Sequence, residues 1–435
     1  MKRVIYFILA LVTLCSTITH AALLNIKPES VEAEAWSIVD PQSGQVIAEH
    51  NSHVQRAPAS LTKMMVAYIT LKEIQAGHLR KDEVLTATSV VKLVQWDESQ
   101  MYLKEGEQIT IDQLLSGLVV MSANDAAVSL AERISGSVPK FVERMNQEAK
   151  ALGMNDSHFE NPPGVTMPEH YSSAADLARL GAAIVKEFPD YLNYSKQQSF
   201  SYNGRFHRAT NLLLKQDPSV DGLKTGFTRA AGYNLALTAS RATGRYNDPD
   251  RRLIVVVLGT KSALKRAEVA HKLMNLAYVY TRNEVAVKDK TLLAEVPVVK
   301  STLKMFKVET KAPQIISTAL VDPAVQLDLA TFDPLRQRIA QDLGNGQIQV
   351  LEPLQQTQTN LEVKMNEKLL TAPLSQVMKL ATIEVYQNNQ LINSFEVEDD
   401  VQIEEASIFQ RFFHWLSNLF DGGVNSEIKT YPIGK

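Results

Sequence analysis

Ser60-Leu61-Thr62-Lys63, followed by the apolar run Met64 to Ile74, is the stretch on which the fold turns. Apolar residues at helical spacing predict a helix over Met64 to Ile74. Pro58 falls where its first turn would begin, a position that tolerates proline. Residues i and i+3 share a helix face, so Lys63 can reach the hydroxyl of Ser60. A desolvated lysine has a lowered pKa, and its neutral form can accept the serine proton. The unpaired N–H groups of a helix start can hold a developing oxyanion. That is the equipment of serine acyl transfer.

The pattern is weak alone. S-x-x-K occurs six times, at Ser60, Ser89, Ser137, Ser262, Ser301 and Ser426, where about one or two are expected at average residue usage. Two further motifs narrow the choice. Ser122-Ala123-Asn124 is an S-x-N, which recurs at Ser201-Tyr202-Asn203. Lys224-Thr225-Gly226 is the only K-T-G in the chain. It precedes a predicted strand at Tyr233, and its glycine lets backbone pass close to a ligand. Only Ser60 stands at a predicted helix start upstream of both other motifs.

Around these motifs the chain divides into units. Ala35 to Asp40 and Gln45 to Glu49 form a predicted hairpin, with turn residues Pro41 to Gly44 between them. Helical patterns cover Ile111 to Met121, Asp125 to Ile134, Val138 to Leu152 and Ser173 to Lys186. Strands return at Tyr233 to Thr238 and Leu253 to Leu258, and the helix Ala263 to Tyr280 follows. Strands at both ends with helices between predict an α+β sandwich over residues 22–282. Residues 283–400 are strand-rich, with runs at Leu293 to Val299, Met305 to Thr310, Ile315 to Leu320, Ile348 to Leu351, Leu361 to Met365 and Thr382 to Tyr386. A helix is expected over Asp333 to Leu343. No acid, base or nucleophile cluster stands in this unit, which reads as a structural or spacer domain. Within residues 401–435, the segment Glu405 to Phe420 carries Ile408, Phe409, Phe412, Phe413, Leu416 and Phe420 at helical spacing. Such a helix is too short to span a bilayer and suits its interface.

Composition sets the outer limits. The chain has 435 residues and a net charge of −3, with no basic excess to imply nucleic acid. Lys2 and Arg3 precede the apolar run Val4 to Val12, with small residues at Thr19 and Ala21. This order predicts a secretory signal peptide over residues 1–21. The one cysteine, Cys15, lies inside it, behind Leu14 rather than the small residue of a lipoprotein signal. The exported chain would then have no disulfide, thiolate chemistry or thiolate metal site. His50 and His53 lack further ligands, so neither metal nor cofactor is expected. No G-x-S-x-G elbow supports a hydrolase triad.

Ordered S-x-x-K, S-x-N and K-T-G resembles the signature of penicillin-binding proteins and class A β-lactamases. With the flanking units, the chain resembles the low-molecular-mass penicillin-binding proteins, D-alanyl-D-alanine carboxypeptidases of serine peptidase family S11 and the penicillin-binding protein 5/6 type. The resemblance implies a β-lactamase/transpeptidase-like domain, an antiparallel sheet with helices on both faces. A smaller β-rich domain and a terminal amphipathic helix on the periplasmic face of the inner membrane would follow. It implies Ser60 as nucleophile, Lys63 as its base and Ser122 as proton relay. Asn124 would position Lys63 and the substrate amide. Lys224 and Thr225 would bind the terminal carboxylate of a peptidoglycan pentapeptide, with Arg266 near that subsite. The N–H groups of Ser60 and Phe227 would form the oxyanion hole, and β-lactams would acylate Ser60. Departures from the family pattern are Phe227 where histidine is common, an insertion over Asp333 to Leu343, and fifteen residues after the terminal helix. The competing readings are a β-lactamase, a DD-endopeptidase and a non-catalytic wall-binding protein. For the first, the Phe159 to Gly164 loop reads as a turn and not as the source of a second base.

Overall fold

The run Leu253-Ile254-Val255-Val256-Val257-Leu258 is apolar at every position because both its faces are buried. It lies in the strand Arg251–Thr260, third in a five-stranded antiparallel sheet. The sheet order is Gln45–His50, Ala35–Asp40, Arg251–Thr260, Gly232–Arg241 and Val220–Thr228. Successive strand side chains point to opposite faces. Accordingly Ile254, Val256 and Leu258 enter one core, and Leu253, Val255 and Val257 enter another. Each such side chain is worth roughly 1.5–3 kcal/mol when fully buried.

The computed structural model describes residues 22–242, 250–333, 339–342, 348–351, 359–387, 389–411 and 427–433. The first core is closed by helices Lys63–Gln75, Asn124–Ser135, Val138–Ala151 and Ala174–Glu187. The second is closed by the helix Ala263–Tyr280. The expected antiparallel sheet with helices on both faces is therefore present, and the N-terminal hairpin pairs as expected.

Three differences stand out. The K-T-G does precede a strand at Tyr233, Gly232–Arg241, but it also lies within an unexpected one, Val220–Thr228, paired to the first with Lys224 opposite Ala236. Asp221, Gly222 and Gly226 break the apolar alternation that would have marked it. Ile111 to Met121 is not one α-helix: Ile111–Ser116 is α-helical and Gly117–Met121 widens into a π-turn. The expected helix over Asp333 to Leu343 is contradicted at residues 339–342; residues 334–338 and 343 lie outside the described residues. Ile339–Asp342 is a strand paired antiparallel with Ile348–Leu351. Its four residues fit a 3.6 repeat by chance, and cross-strand pairing overrides that weak local signal.

The β-rich region has its own core, built on Leu292–Val299, Leu374–Gln387 and Gln390–Ile403. It is not independent of the first unit. Ile316, Ala319, Leu327, Val385 and Ile392 join the second core beside the helix Ala263–Tyr280. Asn25–Ile26 pairs in parallel with Gln326–Leu327. Arg251 bonds Asp40 at 2.8 Å, the carbonyl of Thr281 at 2.7 Å and Ser317 Oγ at 3.4 Å, all buried. The expected signal segment lies outside the described residues. So does the amphipathic helix beyond residue 411; residues 408–411 are helical, with Ile408 and Phe409 each 78% exposed. Among the described residues, no helix is long and apolar enough to cross a membrane.

Candidate active site

Ser60 sits in the 3₁₀ turn Ala59–Thr62, which runs directly into the helix Lys63–Gln75. Entry is sharp. Ala59 has φ +51°, a left-handed conformation that costs an L-residue about 1–2 kcal/mol. Strain of that kind persists only where its surroundings hold it. Here Asn234, buried in the strand Gly232–Arg241, donates to the carbonyls of Ala57 at 3.1 Å and Pro58 at 3.2 Å. Its Oδ1 accepts from the N–H of Gly259 at 2.9 Å. The turn is thereby fastened to the middle of the sheet.

Lys63 is 1% exposed, and its Nζ donates to Ser60 Oγ at 3.0 Å and to the carbonyl of Pro163 at 2.6 Å. Burial pulls its pKa down to about 7; Glu98 and Asp125 oppose that shift without cancelling it. A substantial fraction of the amine is then neutral near neutrality and able to take a proton. The Pro163 loop packs hard against the turn. Gly164 has φ +85°, and a Cβ there would stand 2.1 Å from the Ala59 carbonyl oxygen.

Ser122 has φ 63° at the end of the π-turn, which delivers its side chain inward from a short link between helices. Its Oγ is buried and has no hydrogen-bond partner among the described residues. Asn124 opens the next helix; its N–H donates to the Ser99 carbonyl at 2.7 Å, and its side-chain amide bonds Glu98. The hydrogen bonds of Lys63 thus go to Ser60 and Pro163, not to Asn124. The Asp125 carboxylate accepts from the N–H groups of Met101 at 2.9 Å and Leu103 at 3.0 Å, fixing the loop that carries Glu98.

Lys224 and Thr225 lie on the edge strand of the sheet, both buried. Lys224 Nζ bonds the Thr225 carbonyl at 2.9 Å, and Thr225 Oγ1 bonds Thr210. Burial, then the charges of Lys63 and Arg266, hold the Lys224 pKa well below the ordinary lysine range. Arg266, in the first turn of the helix Ala263–Tyr280, donates to the carbonyls of Gly226, Asn234 and Thr210 at 3.2–3.3 Å. Gly226 brings this strand against the Ser60 turn: a Cβ there would lie 3.0 Å from Pro58 O and 3.1 Å from Ser60 N. Next along the strand, the Phe227 ring is half exposed and stacks on Tyr233 with centroids 4.3 Å apart.

The expected residues therefore come from four segments, and contacts bring Ser60, Lys63, the Lys224 strand and Arg266 together. Three of the other five S-x-x-K serines are otherwise employed. Ser137 and Ser262 cap helices through their hydroxyls, and Ser301 Oγ accepts from the Leu303 N–H. Ser201-Tyr202-Asn203 closes a surface hairpin. Sequence reasoning missed Pro163, Asn234, Glu98 and Asp125. A carbonyl leaves no side-chain signature, and the other three carry no motif.

A family model described as peptidase S11, D-alanyl-D-alanine carboxypeptidase, matches residues 22–262. D-alanyl-D-alanine carboxypeptidase DacD of Salmonella typhimurium is 40% identical over 253 residues, 57% of this chain and 63% of that protein. The match thus spans less than two thirds of that relative's length. Penicillin-binding protein 5 of Haemophilus influenzae superposes with a TM-score of 0.70 at 26% identity, over 87% of this chain and 100% of that one. Penicillin-binding protein D2 of Listeria monocytogenes, solved in a cefotaxime-bound form, superposes with a TM-score of 0.50 at 30% identity, over 57% of this chain and 98% of that one. On the family match and the assembled S-x-x-K, S-x-N and K-T-G residues together, the chain belongs to the D-alanyl-D-alanine carboxypeptidase family, peptidase S11.

Proposed function

We propose that this protein is a serine D-alanyl-D-alanine carboxypeptidase that trims peptidoglycan pentapeptides through an acyl-enzyme on Ser60. The observation that carries the reading is the buried Lys63 amine, 3.0 Å from Ser60 Oγ with a pKa near 7. Neutral Lys63 takes the Ser60 proton as Oγ attacks the carbonyl carbon of the penultimate D-alanine. Charge on the carbonyl oxygen falls to the N–H groups of Ser60 and Phe227, which Gly226 lets approach each other. Ser122, with its uncommitted hydroxyl, passes a proton to the departing D-alanine amine. Water then hydrolyses the ester.

Charge supports the substrate class. Lys63, Lys224 and Arg266 crowd one region, so an anionic peptide terminus relieves their mutual repulsion. A β-lactam offers both the carboxylate and a strained amide, and would leave its acyl group on Ser60. In the β-lactamase reading's candidate loop, one carboxylate oxygen of Glu160 accepts from the Glu169 N–H at 3.0 Å, which ties that side chain to its own loop.

The same reading includes export by the segment over residues 1–21 and peripheral attachment to the periplasmic face of the inner membrane. Attachment would use the amphipathic segment 405–420, whose exposed Ile408 and Phe409 support it. Mass spectrometry after penicillin, then D-alanine release from a muramyl pentapeptide, tests the chemistry. One penicilloyl adduct on Ser60 and turnover are expected; an unlabelled wild-type protein would sink the assignment. Flotation with anionic vesicles tests attachment, and equal flotation after deletion of residues 405–435 refutes it.

A further inference from the structure

His170 is 3% exposed and bonds none of Ser60, Lys63 or Ser122, yet both its ring nitrogens are engaged behind them. Nδ1 accepts from the backbone N–H of Glu160 at 3.0 Å, and Asn161 Nδ2 approaches it at 3.4 Å. Both neighbours are donors, so Nδ1 carries no proton. The single proton of the neutral ring is then on Nε2. Nε2 lies 2.8 Å from Thr62 Oγ1, which lies 2.8 Å from the Ala59 carbonyl oxygen. A carbonyl only accepts. The Thr62 hydroxyl therefore donates to Ala59 and accepts from His170, and the chain runs in one direction.

Its two ends are the two segments that make the site. Ala59 is the left-handed residue immediately before Ser60. Glu160 and Asn161 begin the loop that delivers the Pro163 carbonyl to Lys63. Asn161 Oδ1 accepts from the N–H groups of Gly164 and Val165, both at 2.8 Å, which shapes that loop further. One imidazole thus bridges the support of the nucleophile to the support of its base.

We propose that His170, as the neutral Nε2-protonated tautomer, is a positioning residue that sets Ser60 against Lys63 by tying the Ala59 carbonyl to the Pro163 loop through Thr62. The assignment rests on the reading of Ser60 as the acyl-transfer nucleophile. Burial, with the nearby His158 and Lys63, holds the ring neutral by lowering its pKa to about 4. Displacing reacting groups by about 1 Å can cost about a hundredfold in rate. Substrate binding through Lys224, Thr225 and Arg266 does not run through His170.

The experiment measures penicillin acylation rate, pentapeptide kcat and KM, and thermal midpoint for the full chain and for His170→Phe, His170→Gln and Thr62→Val. Phenylalanine fills the space without either bond. Glutamine keeps one donor and one acceptor. Valine removes the hydroxyl and leaves the ring. Expected are an acylation rate and kcat about a hundredfold lower in His170→Phe and Thr62→Val, KM within about threefold, and recovery in His170→Gln to within about fivefold of wild type. The double variant His170→Phe with Thr62→Val should be no slower than either single one, because one chain is cut twice. A folded Thr62→Val protein acylating at the wild-type rate overturns the proposal, even if His170→Phe fails to fold. So does His170→Gln no faster than an equally stable His170→Phe. A wild-type protein that penicillin leaves unlabelled overturns the Ser60 assignment and this inference with it; a labelled wild type with unimpaired variants overturns this inference alone.

Discussion

The amine of Lys63 lies 2.6 Å from the carbonyl oxygen of Pro163, one hundred residues further along the chain. That contact, with the 3.0 Å contact to Ser60, orients a lone pair or an N–H toward the Ser60 hydroxyl according to protonation. Because the lysine pKa is lowered from 10.5 to about 7, the folded protein binds fewer protons here than the unfolded chain between those values. As the proposed base, Lys63 is available above about pH 7 and lost below it.

Penicillin acylation should therefore fall about tenfold per pH unit below pH 7 and level off above it. Stopped-flow measurement from pH 5 to 9 checks this, and a flat profile below pH 7 removes Lys63 as the base. Lys63→Ala should lower acylation by about 10²–10⁴-fold while the protein stays folded.

Gly226→Ala should lower acylation by about 10²–10³-fold, the scale on which one oxyanion donor counts. Its new methyl would press on the Ser60 N–H at 3.1 Å. Circular dichroism should show an intact fold. Gly164→Ala is expected to lose stability as well, because its Cβ meets backbone at 2.1 Å and φ +85° disfavours alanine. A Gly164→Ala protein with the wild-type thermal midpoint would contradict that packing.

Lys224→Ala should lower kcat/KM for a peptide with a free terminal carboxylate by about 10–100-fold, the worth of a charge-assisted hydrogen bond. The same peptide with an amidated terminus should be poor for both proteins, and the substitution should make little further difference. Equal losses on the two peptides would mean that Lys224 does not read the carboxylate.

Asp40→Ala should destabilise the protein by about 3–5 kcal/mol, because it leaves Arg251 buried without its countercharge. Both groups are almost fully buried, so solvent cannot compensate. Urea unfolding measures the loss; a change below about 1 kcal/mol would show that the carbonyl of Thr281 satisfies Arg251 unaided.

Local spacing made much of this legible. Ser60 and Lys63 are one turn apart, so a helix pattern alone brings them together. The five-stranded sheet was visible where burial is two-sided, as at Leu253 to Leu258, or where a turn is marked, as at Pro41 to Gly44. The K-T-G strand was not, because its glycines serve close approach to Ser60 and erase the strand pattern. Asn234 occupies a polar position of an otherwise alternating strand and reads as solvent-facing; in fact it is fully buried and holds two carbonyls of the nucleophile turn. Pro163 and His170 act over about a hundred residues through backbone and ring atoms, which no pattern along the chain records.

The central strand feeds two cores, and the second of them is shared with the β-rich region. The boundary read near residue 282 is thus a change of architecture rather than a seam. Removing everything beyond it would bare the apolar side of Leu24, Ile26 and the helix Ala263–Tyr280, and would take the partner strand from Asn25–Ile26. The N-terminal segment works as a clasp: the chain returns some three hundred residues later to close it. A product truncated at that boundary is accordingly expected to expose this apolar face and to be less stable than the whole chain.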